Sequence, residues 1–213
     1  MTRGHAKPCS FLLFYLPKKG SRLLEREERM IGMELADSPV IAAVRSPQEF
    51  EAALNAPVET VFLLNASLLT LRETVLRAHE KQKYVFVHID LAEGVGKDSA
   101  GVAFLRKLGI DGVISTRGSM IRLAKECGLQ TVQRFFTVDS HSIETAIESI
   151  RSVSPDCVEL MPGVIPKILH RLCGRVSVPV IAGGLIETKE EIIAAINAGA
   201  SAVSTGCAAL WYE

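Results

Sequence analysis

Two glycine-containing segments in the last third of the chain have the composition of an anion-binding site. Gly183-Gly184 and Ser204-Thr205-Gly206 each follow a short apolar run. Because glycine carries no side chain, backbone N–H groups in such turns can approach a phosphate closely. A helix that begins after the turn adds a favourable dipole. Gly183-Gly184 could instead serve only to turn the chain, but the two segments together favour a phosphate site.

Four cationic side chains could neutralise such an anion: Arg45, Lys97, Arg117 and Arg134. A guanidinium fork fits a phosphate well, although each of these residues could equally lie on the surface or in a salt bridge. Arg134 is the exception, because it lies in a strand-like segment where an unpaired charge would be costly. We therefore expect Arg134, assisted by Arg45, to contact the anion.

Three further side chains could bond ligand hydroxyls or exchange protons. His88 and Asp90 are two residues apart in an apolar segment, so they share one face of a strand. Glu159 also lies in an apolar segment and needs a partner or a ligand there. If they face a ligand, these groups could act as acid and base. A structural His–carboxylate pair in the core is an equally good interpretation.

The elements that must position these residues form a repeating unit from residue 38 onward. A β-branched run, a polar break and an amphipathic stretch recur at intervals of about 20–25 residues. The predicted strands are 40–45, 60–66, 84–90, 112–116, 130–138, 157–163, 179–186 and 202–207. The predicted helices are 48–55, 68–81, 99–108, 116–127, 140–152, 164–173 and 192–197.

This pattern predicts an α/β protein, a compact (β/α)8 TIM barrel with short loops over residues 34–213. Several of the runs are apolar throughout, which is typical of parallel strands buried on both faces. A doubly wound open sheet is the alternative, but no point of reversed strand order is visible. In a barrel the ligand site lies at the C-terminal ends of the strands, often with a phosphate at the loops after strands seven and eight.

Composition excludes several classes of protein. The chain has 213 residues, 24 Lys+Arg and 24 Asp+Glu, and 48% hydrophobic residues, enough apolar content to exclude a disordered chain. No apolar run approaches the roughly 18 residues of a membrane span. No lysine falls in a predicted strand, which argues against an aldolase that forms a Schiff base. We predict neither a metal nor a cofactor.

The zero net charge conceals a split between the two parts of the chain. Residues 1–33 hold seven basic and three acidic residues, whereas residues 34–213 hold 17 basic and 21 acidic residues. We interpret 1–33 as a basic N-terminal extension, either disordered or a leader upstream of a start at Met30 or Met33. Its apolar run 11–16 is too short for a secretory signal. Five widely spaced cysteines fit reduced thiols in a cytoplasmic protein.

From about residue 38 to residue 211 the chain resembles the glycerol-3-phosphate responsive antiterminators. The most specific segments are His88-Ile89-Asp90-Leu91, Ile114-Ser115-Thr116 and Gln133-Arg134-Phe135. Further matching segments are 39–45, 96–98, 161–163 with 166–167, 179–186, and 198–204 with 210–211. Thr205-Gly206 departs from the family pattern, in which a second serine is expected.

The resemblance implies a non-catalytic regulator of glycerol uptake and utilisation genes. Such a protein binds glycerol-3-phosphate and acts on leader mRNA to prevent premature transcription termination. It would hold the phosphate on Gly183, Gly184 and 204–206 with Arg134 and Arg45, and the hydroxyls on His88, Asp90 and Glu159. The RNA partner follows from the resemblance alone, and the sequence leaves open whether the protein is a homo-oligomer.

Two other functions compete with this one. The chain could be an enzyme acting on a sugar phosphate, an isomerase or a lyase, with Asp90 or Glu159 as its acid or base. It could also be a barrel that keeps the ligand site but no longer binds RNA.

Overall fold

The computed structural model describes residues 38–213. The predicted basic extension 1–33 lies outside the described residues. Within them, eight parallel strands close into a barrel in chain order, as the sequence predicts. The strands are β1 (Val40–Val44), β2 (Thr60–Leu63), β3 (Tyr84–His88), β4 (Gly112–Ser115), β5 (Gln130–Phe136), β6 (Cys157–Met161), β7 (Val180–Gly183) and β8 (Ala202–Thr205).

Seven α-helices connect the strands of this part of the chain, and a 3₁₀ helix follows β8. The helices are α1 (Pro47–Asn55), α2 (Leu71–Glu80), α3 (Ser99–Leu108), α4 (Gly118–Glu126), α5 (Ser140–Val153), α6 (Pro166–Cys173), α7 (Lys189–Asn197) and the 3₁₀ helix Ala208–Tyr212. No helix within residues 38–213 has the length and apolar character needed to cross a membrane.

Local side chains fix where several helices begin and end. The Ser46 hydroxyl accepts a hydrogen bond from the Glu49 backbone N–H at 3.2 Å, and the Glu49 carboxylate accepts one from the Ser46 N–H, which together form a capping box before α1. Thr188 caps α7 in the same way. Gly109 ends α3 in the left-handed conformation, with φ of 87°.

Some predicted boundaries are wrong because tertiary contacts override the local pattern. The helix predicted over 68–81 begins only at Leu71. The preceding segment pairs with the loop after β3 instead, where the Leu68 N–H donates to the Glu93 carbonyl at 3.0 Å. The predicted strand 60–66 ends at Leu63, although Leu64 and Ala66 beyond it are still buried.

Alternate residues of each strand point into the barrel, and most of them are apolar. They form one buried cluster: Ile41, Ala43, Phe62, Leu64, Phe86, Ile114, Val132, Cys157, Ile181 and Ala202. Two positions further along four of the strands, the inward residue becomes polar but stays buried: His88, Arg134, Glu159 and Ser204. The period of two therefore places a polar layer over an apolar floor at the C-terminal ends of the strands.

Candidate functional site

A cavity opens at the C-terminal end of the barrel, above the apolar floor. It encloses about 320 Å³ including its opening to solvent, near the lower limit for small-molecule sites. Its lining residues come mainly from the ends of β1, β5, β6, β7 and β8: Ala43, Arg45, Leu64, Arg134, Glu159, Met161, Gly184, Leu185, Ile186, Ser204, Thr205 and Gly206. The structure thus brings together six of the seven residues predicted to bind phosphate, and Glu159 with them.

A buried ion pair lies in the polar layer at the bottom of this cavity. The Arg134 Nε donates to the Glu159 Oε2 at 2.6 Å, and the Ser204 hydroxyl donates to the Glu159 Oε1 at 2.5 Å. Arg134 and Glu159 are partners in the register of β5 and β6. Only the Nε of Arg134 is hydrogen-bonded within residues 38–213, so its terminal nitrogens remain available to a ligand in the cavity.

Gly183, the seventh predicted residue, does not line the cavity but makes the ion pair possible. A Cβ at Gly183 would lie 2.4 Å from the Glu159 Oε1 and 2.7 Å from the Ser204 Oγ. A side chain at this position would therefore displace the carboxylate that holds Arg134. The sequence predicts that Gly183 binds an anion, whereas the contacts in the structure show that its missing side chain leaves room for the Glu159 carboxylate.

Gly184 and Gly206 both line the cavity, and each carries a backbone N–H group. Neither N–H donates to an acceptor within residues 38–213. Gly184 has φ of 78°, a conformation that L side chains rarely adopt, and a Cβ there would lie 2.6 Å from the Met161 Cε. A Cβ at Gly206 would lie 2.8 Å from the Arg45 Nη1, so glycine also lets Arg45 fold over this turn.

Arg45 is the exposed cation of the site. Within residues 38–213 it forms no ion pair, and its backbone carbonyl accepts a hydrogen bond from the Asn65 amide at 3.3 Å. Arg45 also borders a second, larger cavity of about 760 Å³ between α1 and α2. The charged side chains Glu51 and Arg77 of that second cavity bond each other, with Arg77 Nη1 2.6 Å from Glu51 Oε1. It contains none of the other predicted site residues.

The Thr205 side chain is committed to the fold. Its hydroxyl donates to the Ile186 carbonyl at 2.7 Å and accepts from the Cys207 N–H at 3.0 Å. The Thr205 carbonyl accepts from the Trp211 indole N–H at 2.9 Å, which fastens the 3₁₀ helix to the end of β8. The Thr205 hydroxyl therefore supports the loop and is not free for a ligand.

Sequence reasoning missed Leu185. This residue has φ of 62°, in the left-handed region that a leucine seldom occupies, and its side chain is 69% exposed beside the cavity. Strained residues of this kind occur at binding loops, where the surrounding structure holds them. Nothing in the local sequence indicates the conformation.

Asp90 lies outside the cavity and belongs to a second polar cluster at the ends of β3 and β4. Its carboxylate accepts hydrogen bonds from the Ser115 hydroxyl at 2.9 Å, the Thr116 N–H at 2.7 Å and the Arg117 guanidinium at 2.8 Å. Burial alone would raise the pKa of Asp90, but these hydrogen bonds lower it below its ordinary value. Asp90 is therefore a well-satisfied anion.

Lys97 is directed to the same part of the barrel mouth. Its ammonium donates to the Ala92 carbonyl, and burial lowers its pKa while the charge of Asp90 opposes that shift. Two of the four cations predicted to neutralise the anion, Lys97 and Arg117, therefore lie in the cluster around Asp90. The other two, Arg45 and Arg134, line the glycine-bordered cavity.

His88 is buried and uncharged at neutral pH. Burial lowers its pKa to about 4, with the positive charge of Arg134 acting in the same direction. No hydrogen bond joins His88 to Asp90, and within residues 38–213 the buried Nδ1 of His88 has no hydrogen-bond partner. The predicted pairing of His88 with Asp90 is therefore absent from the structure, although both residues lie at the end of β3.

The fold and the cavity define a (β/α)8 barrel with a polar, glycine-lined pocket at the C-terminal ends of its strands. Residues 40–211 match the family model described as glycerol-3-phosphate responsive antiterminator. The chain belongs to this family.

Relatives agree with this assignment. The glycerol uptake operon antiterminator regulatory protein of Listeria monocytogenes 4b F2365 is 36% identical, with a TM-score of 0.77 over 81% of this chain and 94% of that one. An antiterminator-related protein of Thermotoga maritima MSB8 is 33% identical, with a TM-score of 0.72 over 82% of this chain and 98% of that one. The uncharacterized protein YgcP of Escherichia coli K12 is 34% identical over 178 residues, 83% of this chain and 93% of its own length.

Proposed function

We propose that this protein senses glycerol-3-phosphate in the glycine-bordered cavity and, when loaded, binds a leader mRNA in the cytoplasm to prevent premature termination. The observation that carries the ligand proposal is that N–H donors without a partner in the described residues surround one small cavity. Gly184 and Gly206 supply free N–H groups, and Arg45 and Arg134 supply guanidinium groups. This donor set fits a phosphate dianion. The RNA partner is supported by family membership.

Within this proposal the buried residues divide into contacts and supports. Arg134 contacts the phosphate with the nitrogens that Glu159 leaves free. Glu159 and Ser204 orient Arg134, since both carboxylate oxygens are already bonded. His88 does not line the cavity, but its buried Nδ1 has no hydrogen-bond partner within residues 38–213, so we assign it to a glycerol hydroxyl. Asp90 can bond the ligand only by sharing the carboxylate that Ser115, Thr116 and Arg117 already occupy.

The same contacts favour a sensor over an enzyme. A general base works best with a pKa near the operating pH, whereas hydrogen bonds lower the pKa of Asp90. Glu159 is 1% exposed, and its two carboxylate oxygens already accept hydrogen bonds from Arg134 and Ser204, which commits them to the network. None of the strands β1–β8 contains a lysine that could form a Schiff base. We therefore propose a site that binds without turnover.

Calorimetric titration of the full-length protein tests the ligand proposal. We expect glycerol-3-phosphate to bind with one site per chain, and glycerol to bind far more weakly because it lacks the phosphate. Gly184→Ala should weaken binding about tenfold or more, because its Cβ would press against Met161 in a strained backbone.

Gly109→Ala is the matched control for Gly184→Ala. Gly109 has φ of 87° and open space around its Cβ position, so the substitution carries the backbone cost, about 1–2 kcal/mol, without touching the site. If the two variants bound glycerol-3-phosphate with equal affinity, the turn at Gly184 would not be part of the binding site. Turnover of a triose or pentose phosphate that Asp90→Asn abolished would favour the enzyme.

A further inference from the structure

The two ends of the barrel carry opposite charge. The charges were counted within residues 38–213, over the first four and last four residues of each helix and the loops that adjoin them. At the C-terminal ends of the strands these segments hold six basic and ten acidic side chains, whereas at the opposite end they hold nine basic and five acidic side chains. The ligand cavity therefore opens on the acidic end.

We call the nine cations at the other end the basic end. They are Arg77, Lys81, Lys83, Arg106, Lys107, Lys125, Arg151, Arg171 and Arg175. Lys83 is buried and donates to two backbone carbonyls, so the other eight cations supply the accessible charge. All belong to α2–α6 or to the loops that follow those helices, and α1 and α7 contribute none. Because successive helices of a barrel are neighbours, the basic end is a continuous crescent rather than a ring.

The centre of the crescent is the most available part. Lys107 at the end of α3 and Arg151 at the end of α5 are exposed, and neither forms an ion pair within residues 38–213. Between them, on α4, Lys125 lies 3.7 Å from the Asp156 carboxylate. At one flank, Arg171 and Arg175 are both bonded to the Glu144 carboxylate.

Complementing the helix dipoles explains only part of this arrangement. A cation in the last turn of a helix stabilises it slightly, but α1 and α7 have none there. The basic end also includes Lys81 and Arg175, which lie beyond the ends of their helices. The cations are concentrated on five consecutive helices, so their charges add to a positive field at this end that the stability of single helices does not require.

We propose that the basic end is the surface that binds the phosphate backbone of RNA, and the inference rests on the proposed function. Nucleic-acid binding draws most of its affinity from neutralised phosphates. The acidic end would repel an RNA strand, and it is also the end occupied by glycerol-3-phosphate. Placing RNA at the opposite end lets the protein hold both ligands at once, as an effector-loaded regulator must.

The test is fluorescence anisotropy with a fluorescein-labelled leader transcript of the glycerol-uptake operon of the source organism, at saturating glycerol-3-phosphate. Lys107→Glu combined with Arg151→Glu should weaken RNA binding at least tenfold at about 0.1 M salt and reduce the salt slope by about 1.4, at about 0.7 per lost single-strand contact. Glycerol-3-phosphate affinity should not change, which also shows that the variant is folded.

The matched control reverses two exposed cations at the acidic end. Arg72→Glu combined with Lys167→Glu changes the net charge equally and should leave most of the RNA affinity intact. Equal losses in both double variants would reduce the effect to net charge and overturn the proposed surface. Unchanged RNA affinity of the Lys107 and Arg151 variant would also overturn it. If that variant kept its RNA affinity but lost binding to phosphatidylserine vesicles, the basic end would be assigned to a membrane surface.

These outcomes separate the two proposals. If the wild-type protein binds the leader and only the surface variants behave against expectation, the surface is wrong and the antiterminator function stands. If the wild-type protein binds no RNA with glycerol-3-phosphate present, both proposals are wrong.

Discussion

Removing the charge of Glu159 tests the buried network under the glycine-bordered cavity. Glu159→Gln keeps the size of the side chain and one oxygen for Arg134, but it leaves that guanidinium without a counter-charge. The side chains of Arg134 and Glu159 are 7% and 1% exposed, and their atoms lie 2.6 Å apart. Breaking a buried pair by changing one partner costs about 3–5 kcal/mol, because the other charge remains buried.

We expect the low end of that range, about 3 kcal/mol, because the free nitrogens of Arg134 line the cavity and can meet water there. For a chain of this size the loss corresponds to a fall of about 6–12 °C in melting temperature. Chemical denaturation followed by circular dichroism measures the free energy of unfolding directly.

A second variant isolates the cause. Arg134→Met combined with Glu159→Gln removes both charges and should be more stable than Glu159→Gln alone, because no unpaired charge remains. Glu144→Gln is the control on an exposed pair with Arg171 and Arg175 and should not measurably change stability. A loss below about 1 kcal/mol in Glu159→Gln, or a double variant less stable than that single variant, would refute the reasoning.

Further predictions concern His88 and Lys83. Because the pKa of folded His88 lies at about 4, below the ordinary value of about 6.5, the unfolded chain takes up the proton first as pH falls between these values. The free energy of unfolding of the wild type should therefore fall across that window by up to about 3 kcal/mol more than that of His88→Gln. Chemical denaturation at several pH values measures this difference. Parallel pH dependences of the two proteins would contradict the lowered pKa of His88. Lys83 is 5% exposed and donates to the carbonyls of Ala56 at 2.7 Å and Val58 at 2.6 Å, so Lys83→Met should cost about 2–4 kcal/mol of unfolding free energy, and a loss under about 1 kcal/mol would contradict it.

The barrel could be predicted because its signals are local. The capping residue Ser46 and the left-handed Gly109 mark helix ends within a few residues of sequence. The inward polar layer also follows from the period of two, which places Arg134 two residues beyond the buried Val132. Such patterns need no knowledge of distant partners.

The details of the site could not be predicted because they depend on contacts between strands. The spacing of His88 and Asp90 places them on one face of a strand. It does not show that Ser115 and Thr116, at the end of the next strand, donate hydrogen bonds to the Asp90 carboxylate. Similarly, the glycine pattern at Gly183 suggests an anion site, while its packing reason depends on Glu159 two dozen residues earlier. The strain at Leu185 has no signal in the sequence.

Ligand-dependent RNA binding is the central claim, and a gel shift with the leader transcript tests it most directly. With glycerol-3-phosphate the full-length protein should retard the RNA at protein concentrations at least tenfold lower than without it, since the effector must favour the RNA-competent state by at least about 1.4 kcal/mol. Glycerol alone should have no effect. Equal retardation with and without glycerol-3-phosphate, or none in either case, would contradict the account.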